Sequence, residues 1–176
     1  MRIALTDLET TGLNPLKHEI IELGCVIFDN ETFEIYGNLN FKIKPEHIED
    51  ADPKALACNG YKEEDWEDSM TLRQALSFYA QATEGCTFMA HNVTFDYSFI
   101  VASFAKVDLT DSLKLGKYKI DTMSVAWAKI PHDKVFSFSL KTLCIYLGIP
   151  PEPAIHRAIN GATCAYGVYK KLMEMK

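Results

Sequence analysis

Asp7 and Glu9 stand two residues apart where the apolar run Ile3-Ala4-Leu5 ends, and Thr10-Thr11-Gly12 follows at once. Alternate residues of a strand project to one face, so the two carboxylates share a face and repel. Such a pair persists where the strand end opens into water, or where a divalent cation lies between the acids, because hard cations take carboxylate oxygens. For an isolated Asp-x-Glu the first reading is the ordinary one. Here the threonines add donors beside the acids, and Gly12 permits unusual backbone conformations and a close approach by a ligand. Two later segments carry matching chemistry. In His91-Asn92-Val93-Thr94-Phe95-Asp96 the aspartate falls in the first turn of a helix entered directly from a strand, at the end of the sheet where α/β proteins bind ligands. Taken alone, Asp96 does no more than complement the helix dipole, by about 0.3–1 kcal/mol, and His91 reads as a hydrogen-bonded structural residue. In Ile155-His156-Arg157-Ala158-Ile159-Asn160-Gly161 a histidine follows a proline-stiffened connector at the mouth of the final helix. Its ring titrates near neutrality, which suits it to take a proton from water, although a lone histidine there is ordinarily structural.

Three such segments act together only if a scaffold brings them to one place. After the opening strand, Glu19 to Phe28 and Phe33 to Ile43 read as a hairpin or meander, turned at Asp29-Asn30. Asp52-Pro53 caps a short helix stopped at Asn59-Gly60, and Thr71 opens a second that ends near Gly85. Cys86 to Ala90 and Tyr118 to Asp121 are short strands, each leading straight into a helix; Ser139 caps another that Gly148 closes, and a last helix takes the chain to its end. Hairpin strands followed by strand–helix alternation predict an α/β protein with a mixed sheet and helices on its faces.

A chain of 176 residues is long enough for one well-buried core, and a single domain over residues 1–176 is expected. The net charge of −6 argues against a protein that coats duplex nucleic acid through a broad basic surface, yet allows an enzyme that grips one strand end. Residues 46–84 carry ten acids against Lys54, Lys62 and Arg73, whereas 106–141 carry seven lysines against four acids. The lysine-rich stretch is either a phosphate path or a solvated face. Five scattered cysteines with no Cys-x-x-Cys pair read as reduced thiols of a cytoplasmic protein, and no apolar run has the length of a membrane span.

Taken together, Asp7-Leu8-Glu9-Thr10-Thr11-Gly12, Asn92-x-x-Phe95-Asp96 and His156-Arg157-Ala158 resemble the three motifs of the DnaQ-like, or DEDDh, family of 3′–5′ exonucleases, which includes DNA polymerase III epsilon-like proteins. Ile120-Asp121-Thr122 and Ser139-Leu140-x-x-Leu143 agree in spacing, and the resemblance covers nearly the whole chain. It implies a ribonuclease H-like fold, with the first three strands antiparallel and later strands parallel beside strand one. It implies phosphodiester hydrolysis with two divalent cations, Mg2+ or Mn2+, about 3.5–4 Å apart. By the same resemblance Asp7 bridges both ions, Glu9 holds the one beside the attacking water, Asp96 holds the other, and His156 is the general base. Thr10, Gly12 and Leu13 hold the terminal nucleotide, with Asn92 and Phe95 supporting the pocket. The implied partners are single-stranded DNA or RNA 3′ ends and a DNA polymerase subunit, with no membrane, for a monomer or dimer.

The sequence departs from that pattern at one point. Five residues after the histidine the family carries a fourth acid, and this chain has Gly161. Asn160 offers a weaker oxygen, but one helical step turns a side chain by about 100°, so it does not take the same place unless the helix unwinds. Asn-Gly also favours turns, so the sequence predicts either a break there or a helix capped by Asn160. Glu152 is a further donor that nothing in the sequence places. Three readings follow: an enzyme with weaker or substrate-assisted metal binding, a degenerate subunit that binds strand ends without cutting, or a glycine that replaced the acid of an active parent. The ion at risk is the one assigned to Glu9.

Overall fold

The computed structural model describes residues 1–175. Five strands, β1 (Arg2–Thr10), β2 (Ile20–Asp29), β3 (Ile35–Lys42), β4 (Thr87–Ala90) and β5 (Lys119–Asp121), form one sheet in the order β3-β2-β1-β4-β5. β1 lies in the middle, antiparallel to β2 and parallel to β4, while β3 is antiparallel to β2 and β5 parallel to β4. This is the mixed sheet expected, with its antiparallel half first. Among the described residues six α-helices accompany the sheet: α1 (Pro53–Asn59), α2 (Leu72–Ala82), α3 (Val93–Lys106), α4 (Thr122–Lys129), α5 (Leu140–Tyr146) and α6 (Ala158–Glu174). None of them is long and apolar enough to cross a membrane.

Strand parity divides the core into two layers. Ala4, Leu8, Leu23, Cys25 and Phe88 pack with Leu76, Tyr79, Phe99 and Phe104 of α2 and α3, whereas Ile3, Leu5, Val26, Phe28 and Met89 face Ala162, Ala165 and Tyr169 of α6. Both layers are buried, and truncating a residue such as Leu5 to alanine would cost about 2–5 kcal/mol. Thr6, on the α2 side, is fully buried and shares a 2.9 Å hydrogen bond with the Tyr79 hydroxyl. The same alternation that sends Ile3 and Leu5 toward α6 sends Asp7 and Glu9 there too, at the carboxyl end of the strand.

α6 can come down on the sheet because both surfaces are small where they meet. Gly24 pairs with Asp7 across β1 and β2, and a Cβ on it would stand 2.3 Å from the Ala158 carbonyl. α6 runs without interruption through Asn160-Gly161, contrary to the break or late cap predicted from that dipeptide. A glycine inside a helix costs about 1 kcal/mol against alanine. Burial of Ala158, Ala162, Ala165, Val168 and Tyr169 on one face outweighs that.

Three helices start where the sequence predicts: Asp52 accepts from Lys54 N–H, Thr71 forms a reciprocal capping box with Gln74, and Ser139 accepts from Thr142 N–H; Asp121, read from sequence only as a strand end, also caps α4 by accepting from Ser124 N–H. Cys25, Cys86, Cys144 and Cys164 are buried free thiols, and Cys58 is exposed.

Candidate active site

Asp7 and Glu9 on β1, Asp96 on α3 and His156 before α6 line one cleft of about 210 Å³, together with Leu8, His91, Asn92, Phe95, Leu140 and Glu152. At about 30 Å³ per water, this is room for about seven. Thr10, Gly12 and Leu13 do not line this cleft. Leu13 is 77% exposed on the loop beyond it. The threonine hydroxyls are already engaged: Thr10 donates to the Gly12 carbonyl and Thr11 accepts from Glu19 N–H. Gly12 is required by a neighbouring side chain, since a Cβ would meet the His18 ring at 2.5 Å.

Asp96 reaches the cleft because α3 starts immediately after β4. The start of that helix is tied down by Asp121, whose carboxylate accepts from Val93 N–H at 2.9 Å while it caps α4 through Ser124 N–H at 2.6 Å. Asn92 is the capping residue of α3 but makes no side-chain cap, leaving its exposed amide free at the cleft. His91 has a structural role. The Phe138 carbonyl can only accept, so the ring donates from Nε2 at 3.0 Å and its Nδ1 takes the Thr122 hydroxyl at 3.0 Å. Burial holds this ring below the ordinary histidine range.

The segment around His156 is held from two sides. His156 N–H donates to the Cys58 carbonyl at the end of α1, and the Arg157 guanidinium donates to the Asn59 carbonyl. Asn59 in turn donates to the Thr10 carbonyl at 3.1 Å, which ties α1 to the end of β1. Arg157 also faces Glu22 at 3.4 Å, and Glu22 accepts from Ala158 N–H. Glu22 pairs with Glu9 across β1 and β2, so the arginine neutralises the acid that sits beside the first motif. Sequence reasoning missed this chain of contacts. The hairpin register was the available signal for Glu22, whereas Asn59 gave no signal beyond a helix stop.

The acids of the cleft are crowded, buried and mutually repelling. Burial, then Asp96, Glu9 and Glu152, push the Asp7 carboxyl well above the carboxylate range, and burial does the same to Asp96, against the amides of Asp96 itself and Leu8. Burial, then Glu152 and Glu22, push Glu9 up to about 8 despite Arg157. Among the described residues, none of Asp7, Glu9, Asp96 and Glu152 forms an ion pair. One oxygen of Glu152 is buried with no hydrogen-bond partner.

This donor set of hard oxygens with unrelieved repulsion fits divalent cations. As the side chains stand, no three His, Cys, Asp or Glu residues among those described are grouped closely enough to hold one ion. Asp7 is turned into the space that a side chain at 161 would fill: a Cβ on Gly161 would lie 2.3 Å from Oδ2. Asn160, the weaker substitute suggested by the sequence, does not line the cleft.

Most of the lysine-rich stretch is committed elsewhere. Lys106 pairs with Glu19 and Glu46, Lys114 with Glu84, Lys134 with Asp133, and Lys129 donates to the Leu172 and Met175 carbonyls at the end of α6. Lys141 is placed by the site. It lines an adjoining cleft with Ser139, Leu140, Glu152 and His156.

Comparison with known proteins accords with this geometry. A PolC-type DNA polymerase III of Thermotoga petrophila is 31% identical over 170 residues, covering 96% of this chain and 12% of that protein. The DNA polymerase III subunit epsilon of Haemophilus influenzae is 29% identical over 177 residues, covering 96% of this chain and 66% of that one. The chain thus spans a small part of the PolC-type relatives and just under two thirds of the epsilon subunit. Among solved structures, E. coli exonuclease I in complex with a dT13 oligonucleotide superposes with a TM-score of 0.83 at 18% identity, over 99% of this chain and 41% of that one. The nuclease domain of 3'hExo, a DEDDh family member, bound to rAMP, superposes with a TM-score of 0.78 at 18% identity, over 98% and 92%. Members of the DEDDh group normally use divalent metal ions. Residues 5–169 match the exonuclease family RNase_T, from the end of the first apolar run to the last turns of α6; the chain belongs to this exonuclease family and carries its ribonuclease H-like fold.

Proposed function

We propose that residues 1–176 form a single exonuclease domain that removes nucleotides one at a time from the 3′ end of a single nucleic-acid strand. The observation that carries this reading is the meeting of Asp7, Glu9, Asp96 and His156 in one cleft, from three separated segments. Asp7, Glu9 and Asp96 would hold two Mg2+ or Mn2+ ions, which when bound supply a Lewis acid for the phosphoryl oxygens and lower the pKa of water. His156, at the edge of the same cleft, accepts the proton of the water whose oxygen attacks phosphorus. The bond to the leaving 3′ oxygen then breaks, that oxygen takes a proton from solvent water to leave as a hydroxyl, and His156 returns the proton it accepted to solvent. Exposed Leu13 covers the terminal base, the loop of Thr10 and Gly12 supports it through its backbone, and Asn92 and Phe95 line the entrance. The PolC-type and epsilon relatives support association with a DNA polymerase subunit.

The test uses a 5′-labelled single-stranded DNA oligonucleotide, with RNA of the same sequence beside it. A ladder shortening from the 3′ end in Mg2+ or Mn2+, absent with Asp7→Asn, is expected. A clean preparation that shortens neither strand with either metal would refute turnover. Gly161 motivates a second reading, a subunit that binds strand ends without cutting. Strand binding without any ladder would select it.

A further inference from the structure

We propose that the carboxylate of Glu152 supplies the metal-binding oxygen that Gly161 does not, so that this chain carries its fourth acid on the connector before His156 instead of on α6. The inference rests on the exonuclease reading and concerns which residues complete its metal site. The other polar groups near the gap are already committed. Asp121 is used by the Val93 and Ser124 amides, Glu22 lies outside the cleft, where its Oε2 accepts from the Ala158 amide and its Oε1, though without a hydrogen bond, is ion-paired with Arg157, and Asn160 also lies outside the cleft. Glu152 alone adds an acid to the cleft beyond Asp7, Glu9 and Asp96, and its Oε1 is buried without a partner.

A buried, unpartnered carboxylate oxygen loses its hydration and gains nothing in return, unless a ligand completes it. A divalent ion held in the cleft that Glu152 lines with Glu9 would be such a ligand. The position of Asp7 fits this arrangement, since its carboxylate occupies the space beside Gly161 that a fourth acid on α6 would need. Glycine at 161 and an acid at 152 are therefore complementary: one leaves room for Asp7, and the other replaces the oxygen.

The test is Mn2+ titration by calorimetry, with thermal melts in chelator, on the full chain as wild type, Glu152→Gln and Glu31→Gln. Glu31 is an exposed acid on the β2–β3 turn and controls for net charge. Glu152→Gln is expected to bind Mn2+ at least about tenfold more weakly than wild type, a change of about 1.4 kcal/mol. In chelator it is expected to melt at the same or a higher temperature, because one repelling acid is gone. A merely structural glutamate would give the opposite pattern, a lower melt in chelator and unchanged Mn2+ affinity. Unchanged Mn2+ affinity in Glu152→Gln, with wild type binding normally, overturns this proposal and leaves the exonuclease reading standing. A wild-type chain that binds no Mn2+ overturns both.

Discussion

Raising the pH in the absence of metal should destabilise this protein, and a divalent cation should cancel the effect. Glu9 ionises at about 8 in the folded chain, against 4.5 for an ordinary glutamate, through burial and its acidic neighbours. Between those values the folded state holds a proton that the unfolded state has released. A group with a raised folded pKa stabilises below its unfolded value, and that stability is lost as the pH climbs through its folded value. Each such proton contributes a slope of up to about 1.4 kcal/mol per pH unit. Averaged over its titration from about pH 7 to pH 8, Glu9 alone gives about 1 kcal/mol, and Asp7 and Asp96, shifted in the same direction, add to it. Water entering the open cleft screens part of this, so a fall of about 1–2 kcal/mol is expected, or a melting temperature lower by about 3–6 °C. The window avoids Glu19 and His91, and the Cys164 thiol, lowered by its hydrogen bond to Cys144, is matched by the rise that the same bond gives Cys144. Glu19 is buried but held below its ordinary range by Lys106 and the His47 and Glu46 amides, so its contribution is complete in mild acid. His91, lowered by burial, contributes with the opposite sign mainly below about pH 7. The assay is a series of thermal melts in chelator and in about 1 mM Mn2+, where preferential binding to the folded state adds stability. A melting temperature in chelator that stays flat or rises across the window, or no Mn2+ shift at its upper end, refutes the reasoning. Glu9→Gln should flatten the slope.

Gly24→Ala places a methyl against the Ala158 carbonyl, which is backbone and has nowhere to go; a loss of about 3 kcal/mol in urea unfolding is expected. Tyr79→Phe removes the nearer of two partners of a fully buried Thr6 hydroxyl, leaving only the weak bond to Cys25 Sγ, and should cost about 1–2 kcal/mol in the same assay. Lys141→Ala should weaken binding of a single-stranded oligonucleotide a few-fold and reduce the slope of log affinity against log salt by about 0.7. Its Mn2+ affinity should stay at the wild-type value, which separates a strand contact from a metal contact.

The fold was largely legible because its signals are local. Alternation placed Asp7 and Glu9 on one face, and Asp52, Thr71 and Ser139 marked helix starts that the structure contains. The three motif segments could be listed from the chain, but their meeting depends on sheet order and on contacts between residues far apart. Asn59 reads in sequence as the stop of a short helix, and only the fold shows it joining Thr10 to the Arg157 segment. Gly12 reads as a loop glycine, and only the fold shows the His18 ring lying against it. The Asn160-Gly161 dipeptide misled because local turn preference is weaker than the burial of a whole helix face. The lysine-rich stretch likewise reads as one feature, although tertiary pairing divides it into ion pairs, a helix-end clamp at Lys129 and Lys141 beside the cleft.

The lacing of the third motif to α1 and β2 also sets when the site comes into being. His156, Arg157 and Ala158 are fixed by Cys58, Asn59 and Glu22, and the Arg157–Asn59 and Ala158–Glu22 bonds span 98 and 136 residues of chain. Contacts of that span close late, because the entropy of a long loop must be lost before they reward it. A growing chain that has reached α5 already carries Asp7, Glu9 and Asp96, but lacks both His156 and the helix that seals the sheet beneath them. Completion of α6 therefore decides when the cleft is assembled, and a chain still emerging from its ribosome holds the three acids without the histidine that joins them.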